Sequence, residues 1–141
     1  MNNKNHANNE KIVLTLEEVK EYNDLEAIYQ ETDETIASVK EDGFDLNDEY
    51  EIIHNFAAYD FNSLEKMAIE LFNAFGDKFE IGEPEEAVEE ESNEAIFCFE
   101  AISLHKLDRA ELVEEINKIV EISNECLVMY DGWGVQAGDE E

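Results

Sequence analysis

Ala95-Ile-Phe-Cys-Phe-Glu-Ala-Ile102 is the stretch that decides the fold. It is nearly all apolar, as expected of a strand at the centre of a sheet and covered by neighbours. Upstream lies an acidic run, EPEEAVEEESNE (83–94), and before that Phe79 and Ile81, which open another strand. Pro84 cannot donate to a ladder, so it suits an edge or a turn. The acidic run is expected to be the connection of a hairpin.

Downstream, Asp108 and Glu111 cap a helix whose inward residues are Leu112, Val113, Ile116, Ile119 and Val120. Leu127-Val-Met-Tyr130 then reads as a last strand, ended by Asp131-Gly-Trp-Gly134. On the other side, Leu64, Met67, Ala68, Leu71, Phe72 and Phe75 form one face of a helix capped by Asn62 with Glu65 and stopped by Gly76. Before it, Tyr50, Ile52, His54 and Phe56 alternate onto one face of a first strand. The order β-α-β-β-α-β is the ferredoxin-like plan of an α+β fold. Right-handed crossovers favour the spatial strand order 4-1-3-2.

Ahead of this core, Thr15 and Glu18 form a capping box. Leu25, Ile28, Tyr29, Thr32, Ile36 and Val39 follow helical spacing behind it. One helix of about 26 residues, ending near Asp42 and Gly43, is expected there. The domain organisation is then a disordered leader over 1–12, a single α+β domain over 13–134 and a short acidic tail over 135–141. Cys98 and Cys126 are expected to be buried small hydrophobes on strands separated by a third. That separation, about 10 Å, is too wide for a disulfide.

Charge is the second unusual property. The 141 residues carry 38 Asp and Glu against 9 Lys and Arg, a formal net charge of −29, and Arg109 is the only arginine. Such a field repels nucleic acid and anionic membrane and attracts basic proteins. Phe97 and Phe99 have no Lys or Arg beside them, so the aromatic-basic surface of an RNA-binding sheet is missing. No stretch approaches the roughly 20 apolar residues of a membrane span, and the first residues do not resemble a signal peptide. The cytoplasm is the expected location.

No catalytic set is legible. With so many carboxylates no pair stands out, and a single Asp or Glu is expected to be solvated. Asp45-Leu-Asn47-Asp-Glu49 begins like a calcium loop, but Tyr50 and Phe56 stand where Gly and Glu are required. His54 and His105 could approach each other across the sheet, yet no metal spacing accompanies them and satisfied core or edge histidines are expected. Neither cofactor nor metal is anticipated, and the chain is not expected to be an enzyme. Tyr130, Asp131 and Trp133 are the candidate partner-binding residues. They include the only Trp, and Trp and Tyr dominate interface hot spots.

Several of these features occur together in one family. They are the long helix ending Glu41-Asp42-Gly43, the strand with His54, Leu64-Glu65-Lys66, Ile96-Phe-Cys-Phe99 and Tyr130-Asp-Gly-Trp-Gly134. Over about residues 16–134 the chain resembles the regulator of ribonuclease E activity B family. That resemblance implies a ferredoxin-like α+β fold and a protein inhibitor. Its partner would be the endoribonuclease RNase E, bound at its basic C-terminal region, with RNA decay altered as a result. A nucleic-acid mimic blocking another DNA- or RNA-binding protein is the alternative, and a small enzyme is the third.

Overall fold

The computed structural model describes residues 14–90 and 93–136. The leader over 1–12 and residues 137–141 of the tail lie outside the described residues. Among the described residues four α-helices and five strands follow in the order α1 (Leu16–Tyr22), α2 (Leu25–Glu41), β1 (Glu49–Ala58), α3 (Phe61–Phe75), β2 (Glu80–Ile81), β3 (Glu85–Val88), β4 (Ala95–Lys106), α4 (Arg109–Cys126) and β5 (Met129–Gln136). The sheet order is β2-β4-β1-β5, with antiparallel pairing throughout. Numbering only the four core strands, this is the expected 4-1-3-2 arrangement of an α+β fold.

Helices cover one face of the sheet. Tyr50, Ile52, His54 and Phe56 of β1 are buried beneath them, as are Phe99, Ala101, Ser103 and His105 of β4. The main core joins Phe56 and Phe99 to Leu64, Met67 and Leu71 of α3 and to Ile116 and Ile119 of α4. A second cluster of Tyr50, Ile52, Leu107 and Leu112 lies under Ile36 and Val39 of α2.

The N-terminal helix is broken, contrary to expectation. Thr15 and Glu18 form the capping box, but α1 stops at Tyr22 and Asp24 caps a new helix through Glu26 N–H. Asn23, buried at the break, turns its side chain onto the core. Its Nδ2 donates to Val128 O at 3.1 Å and Asn124 Oδ1 at 3.0 Å, and its Oδ1 accepts from Tyr130 N at 2.8 Å. These bonds compete with helix continuation, as Asn side chains commonly do. α2 then ends as expected, with Gly43 at φ 93°.

Further expectations need correction. The acidic run is not a simple hairpin connection: Glu85–Val88 forms β3, which pairs with β4 beside β2. β2 and β3 are two halves of one edge strand, interrupted by Gly82 to Pro84. Their exposed glutamates suit an edge, where charge discourages pairing between molecules. The last strand does not end at Asp131-Gly-Trp-Gly134 but runs through it to Gln136. The motif is absorbed as a β-bulge opposite Asn55, with Gly132 at φ 90°. α3 begins after Asp60, two residues before Asn62. Finally, Cys126 closes α4 and does not lie on a strand, while Cys98 is exposed on β4. β4 is central, but one of its faces is open.

Candidate partner-binding face and a buried histidine–glutamate network

The Tyr130–Gly134 motif fastens the two N-terminal helices to β5. Tyr130 N is held by Asn23, Asp131 Oδ1 accepts from Tyr22 Oη at 2.7 Å, and Trp133 Nε1 donates to Thr32 Oγ1 at 2.9 Å. Thr32 in turn donates to Ile28 O within α2. Burial, and then the bond to Asp131, push the Tyr22 hydroxyl up to about 12. Tyr130 is 2% exposed, and the half-buried Trp133 packs against both core clusters from beneath the sheet. Asp131 is the exposed member of the three candidate residues.

Behind the motif lies a charged network legible only in part from the sequence. His54 and Tyr130 stand on neighbouring strands facing the helices, and His105 follows on β4. Between them α4 inserts Glu115, only 4% exposed. His54 Nε2 lies 2.8 Å from Glu115 Oε2, and His105 Nε2 3.1 Å from Oε1. Lys78 Nζ reaches Oε1 at 2.6 Å.

The proton positions follow from the partners. His54 is fully buried, and that burial holds its pKa below the ordinary value despite the bonded carboxylate. Neutral His54 donates from Nε2 to Glu115, so its Nδ1 accepts the Tyr130 hydroxyl at 2.7 Å. His105 faces two acceptors, Glu115 and Lys106 O at 3.1 Å. Its bond to Glu115 outweighs desolvation and raises its pKa, favouring the form with both N–H groups present. Burial alone would raise the Glu115 pKa. Bonds from His105, His54 and Lys78 overcome it and hold the carboxyl far below its usual range.

The expectation that any single Asp or Glu is solvated therefore fails at Glu115. Its signal was available: position 115 lies three residues after Leu112 and four before Ile119, on the inward face of α4. The expectation of satisfied histidines holds for His54 and His105, and no group of three or more His, Cys, Asp or Glu side chains is placed to hold a metal ion among the described residues. A cleft of about 660 Å³ opens beside the network, lined by Lys78, His105, Lys106, Lys118, Glu111 and Glu114 among others. Its charges are mixed, and a carboxylate so strongly held is a poor general base near neutrality.

Among the described residues no helix lies on the opposite face of the sheet. There the exposed Glu49 and Glu51 of β1, Glu80 of β2, Glu85 of β3 and Glu100 of β4 surround Ile53, Ile102 and Leu104. A second cleft, of about 590 Å³, includes Asn55, Glu83, Glu85, Cys98, Glu100 and Asp131 in its wall. Asp131 is thus brought to the acidic side of the molecule, while Tyr130 and Trp133 are directed to the helical side. Among the described residues no helix is long and apolar enough to cross a membrane.

Comparison with known proteins points to one family. A relative from Shewanella denitrificans, named Regulator of ribonuclease activity B, is 38% identical over 117 residues, covering 82% of this chain and 88% of the relative. Proteins of the same name from Aeromonas hydrophila and Aeromonas salmonicida are 40% and 43% identical. These alignments cover 79% and 72% of this chain, and 93% and 87% of the respective relatives. The family model described as Regulator of ribonuclease activity B matches residues 29–135, from within α2 to β5, and the chain belongs to that family.

Proposed function

We propose that this chain is a non-catalytic regulator of the endoribonuclease RNase E, binding the basic C-terminal region of that enzyme and so altering RNA decay. The observation that carries the proposal is the net charge of −29 on a member of this family. A surface so charged captures an Arg- and Lys-rich segment by long-range attraction and accelerates the encounter. Such a segment would otherwise hold RNA or other proteins, so occupying it changes what the nuclease cuts. Regulation by binding needs no catalytic group, and the buried Glu115 network has the character of a structural ion cluster. Of the three candidate residues, Asp131 is the one proposed to meet a partner directly, a reading its exposure supports.

Binding is expected to weaken steeply with salt. The Debye length falls from about 10 Å at 0.1 M to about 3 Å at 1 M, which screens exposed charge pairs. Titration calorimetry with the isolated basic region of RNase E, across that range, measures the effect. Absence of binding at 0.1 M salt overturns the proposal, and an affinity indifferent to salt overturns its electrostatic basis.

A further inference from the structure

We infer that the helix-free face of the sheet is the docking surface, and that its occupant is a cationic segment carrying aliphatic side chains among its Arg and Lys residues. The inference rests on the function proposed above and specifies the surface that performs it.

Two independent observations coincide on this face. The first is charge segregation. Among the described cations, Lys20, Lys40, Lys66, Lys118 and Arg109 lie on helices, and Lys78 is bound to Glu115. On the helix-free face Lys106 alone faces Glu49, Glu51, Glu80, Glu85 and Glu100, and it stands at the end of β4. The helical side is acidic too, but cations are interleaved there. The helix-free face is where a polycation meets carboxylates with little competition.

The second observation is apolar. Leu104, in the body of β4, is 61% exposed. Ile53 and Ile102 are directly paired across β1 and β4 and only half-buried. On the far side of Ile53 the register places Gly134 of β5, where an added Cβ would meet nothing within 4 Å. The missing side chain leaves a shallow trough beside the Ile53–Ile102 pair. An apolar strip rimmed by carboxylates fits aliphatic side chains in its middle and guanidinium or ammonium groups at its margins. The described residues place no layer over it.

Three measurements on the full chain test this. The first titrates a synthetic peptide of repeating Arg-Arg-Val-Val units while recording backbone amide shifts. Changes are expected to concentrate at Ile53, Asn55, Glu100, Ile102 and Leu104. No binding, or changes centred on the helices, overturns the inference. The second compares two charge-matched variants against the same peptide and against the RNase E basic region. One is Glu51→Gln/Glu85→Gln/Glu100→Gln on the open face, and the other is Glu26→Gln/Glu65→Gln/Glu121→Gln on helices. Removing three contacts should weaken binding about tenfold, while the helix variant, changing only the overall field, should lose clearly less. Equal losses overturn the docking face. The third uses Leu104→Thr, which keeps strand propensity at an exposed site. Its affinity should fall while its unfolding midpoint holds, and unchanged affinity overturns the apolar half of the inference. If the RNase E region binds but ignores the open-face variant, the surface is wrong and the function stands. If the peptide maps to this face while the RNase E region fails to bind, the surface stands and the function is wrong.

Discussion

Replacing Glu115 by Gln keeps the volume at the centre of the network and removes its negative charge. Three donors converge on that carboxylate: His54 Nε2 at 2.8 Å, His105 Nε2 at 3.1 Å and Lys78 Nζ at 2.6 Å. Lys78 is 42% exposed and can turn to water, so its share is small. The two histidine bonds cannot be replaced by water so easily, because His54 is wholly buried and His105 nearly so. The Gln oxygen can serve one of them, leaving the other facing an amide NH₂. Losing one charge-assisted bond and weakening another should cost about 3 kcal/mol.

The pH dependence gives a sharper reading, because the two histidines act with opposite sign. His105 has a raised folded pKa, so its stabilisation is complete below its ordinary value of 6.5 and is lost as pH rises through the folded value. His54 has a lowered folded pKa, so protonation favours the unfolded chain as pH falls below 6.5. Glu115 has a lowered folded pKa, so its contribution is present above about 4.5 and lost as pH falls further. Near neutrality the histidine effects oppose each other. In Glu115→Gln the largest cause of the His105 elevation is gone while burial of His54 remains. Stability of the variant should therefore rise with pH around 6.5 more steeply than that of the native chain. Urea unfolding at several pH values measures the slope, and NMR titration of the imidazole Cε1 protons resolves each histidine. An unchanged midpoint in Glu115→Gln, or a His105 that titrates at or below 6.5 in the native chain, would refute the network's assigned protonation.

Two further substitutions probe the fold. Trp133→Ala should lower folding stability by about 3 kcal/mol, since it empties a site touching both core clusters and removes the hydrogen bond that Thr32 Oγ1 accepts. Urea midpoints of Trp133→Ala and Asp131→Asn, set beside partner affinities, separate packing from contact. If Trp133→Ala folds normally and binds poorly, Trp133 is an interface anchor. Ser103 Oγ is buried without a hydrogen-bond partner among the described residues. Ser103→Ala should raise stability by about 1 kcal/mol in thermal or urea unfolding, and a clear loss would show that the hydroxyl has a partner such as water.

The β-α-β-β-α-β order and the positions of its core strands were legible because period-2 and period-3.6 apolar patterns are local properties. Tyr50, Ile52, His54 and Phe56 alternate whatever they pair with, and Leu64, Met67 and Leu71 share a helical face before any contact forms. The family was legible through the segments around His54, Ile96-Phe-Cys-Phe99 and the Tyr130–Gly134 motif. Events that depend on a distant partner were hidden. Asn23 breaks a well-patterned helix because Val128, Asn124 and Tyr130 offer its side chain better bonds than another helical turn does. Glu85–Val88 is a strand because β4 supplies the ladder, not because its own residues favour one. Glu115 resembles the other carboxylates until the fold closes His54, His105 and Lys78 around it, and only then can a buried charge be tolerated. The composition determined the sign and size of the molecule's electric field. Tertiary structure decided where that field lies bare of cations, because pairing β1, β2, β3 and β4 brings glutamates far apart in sequence onto one side of the sheet.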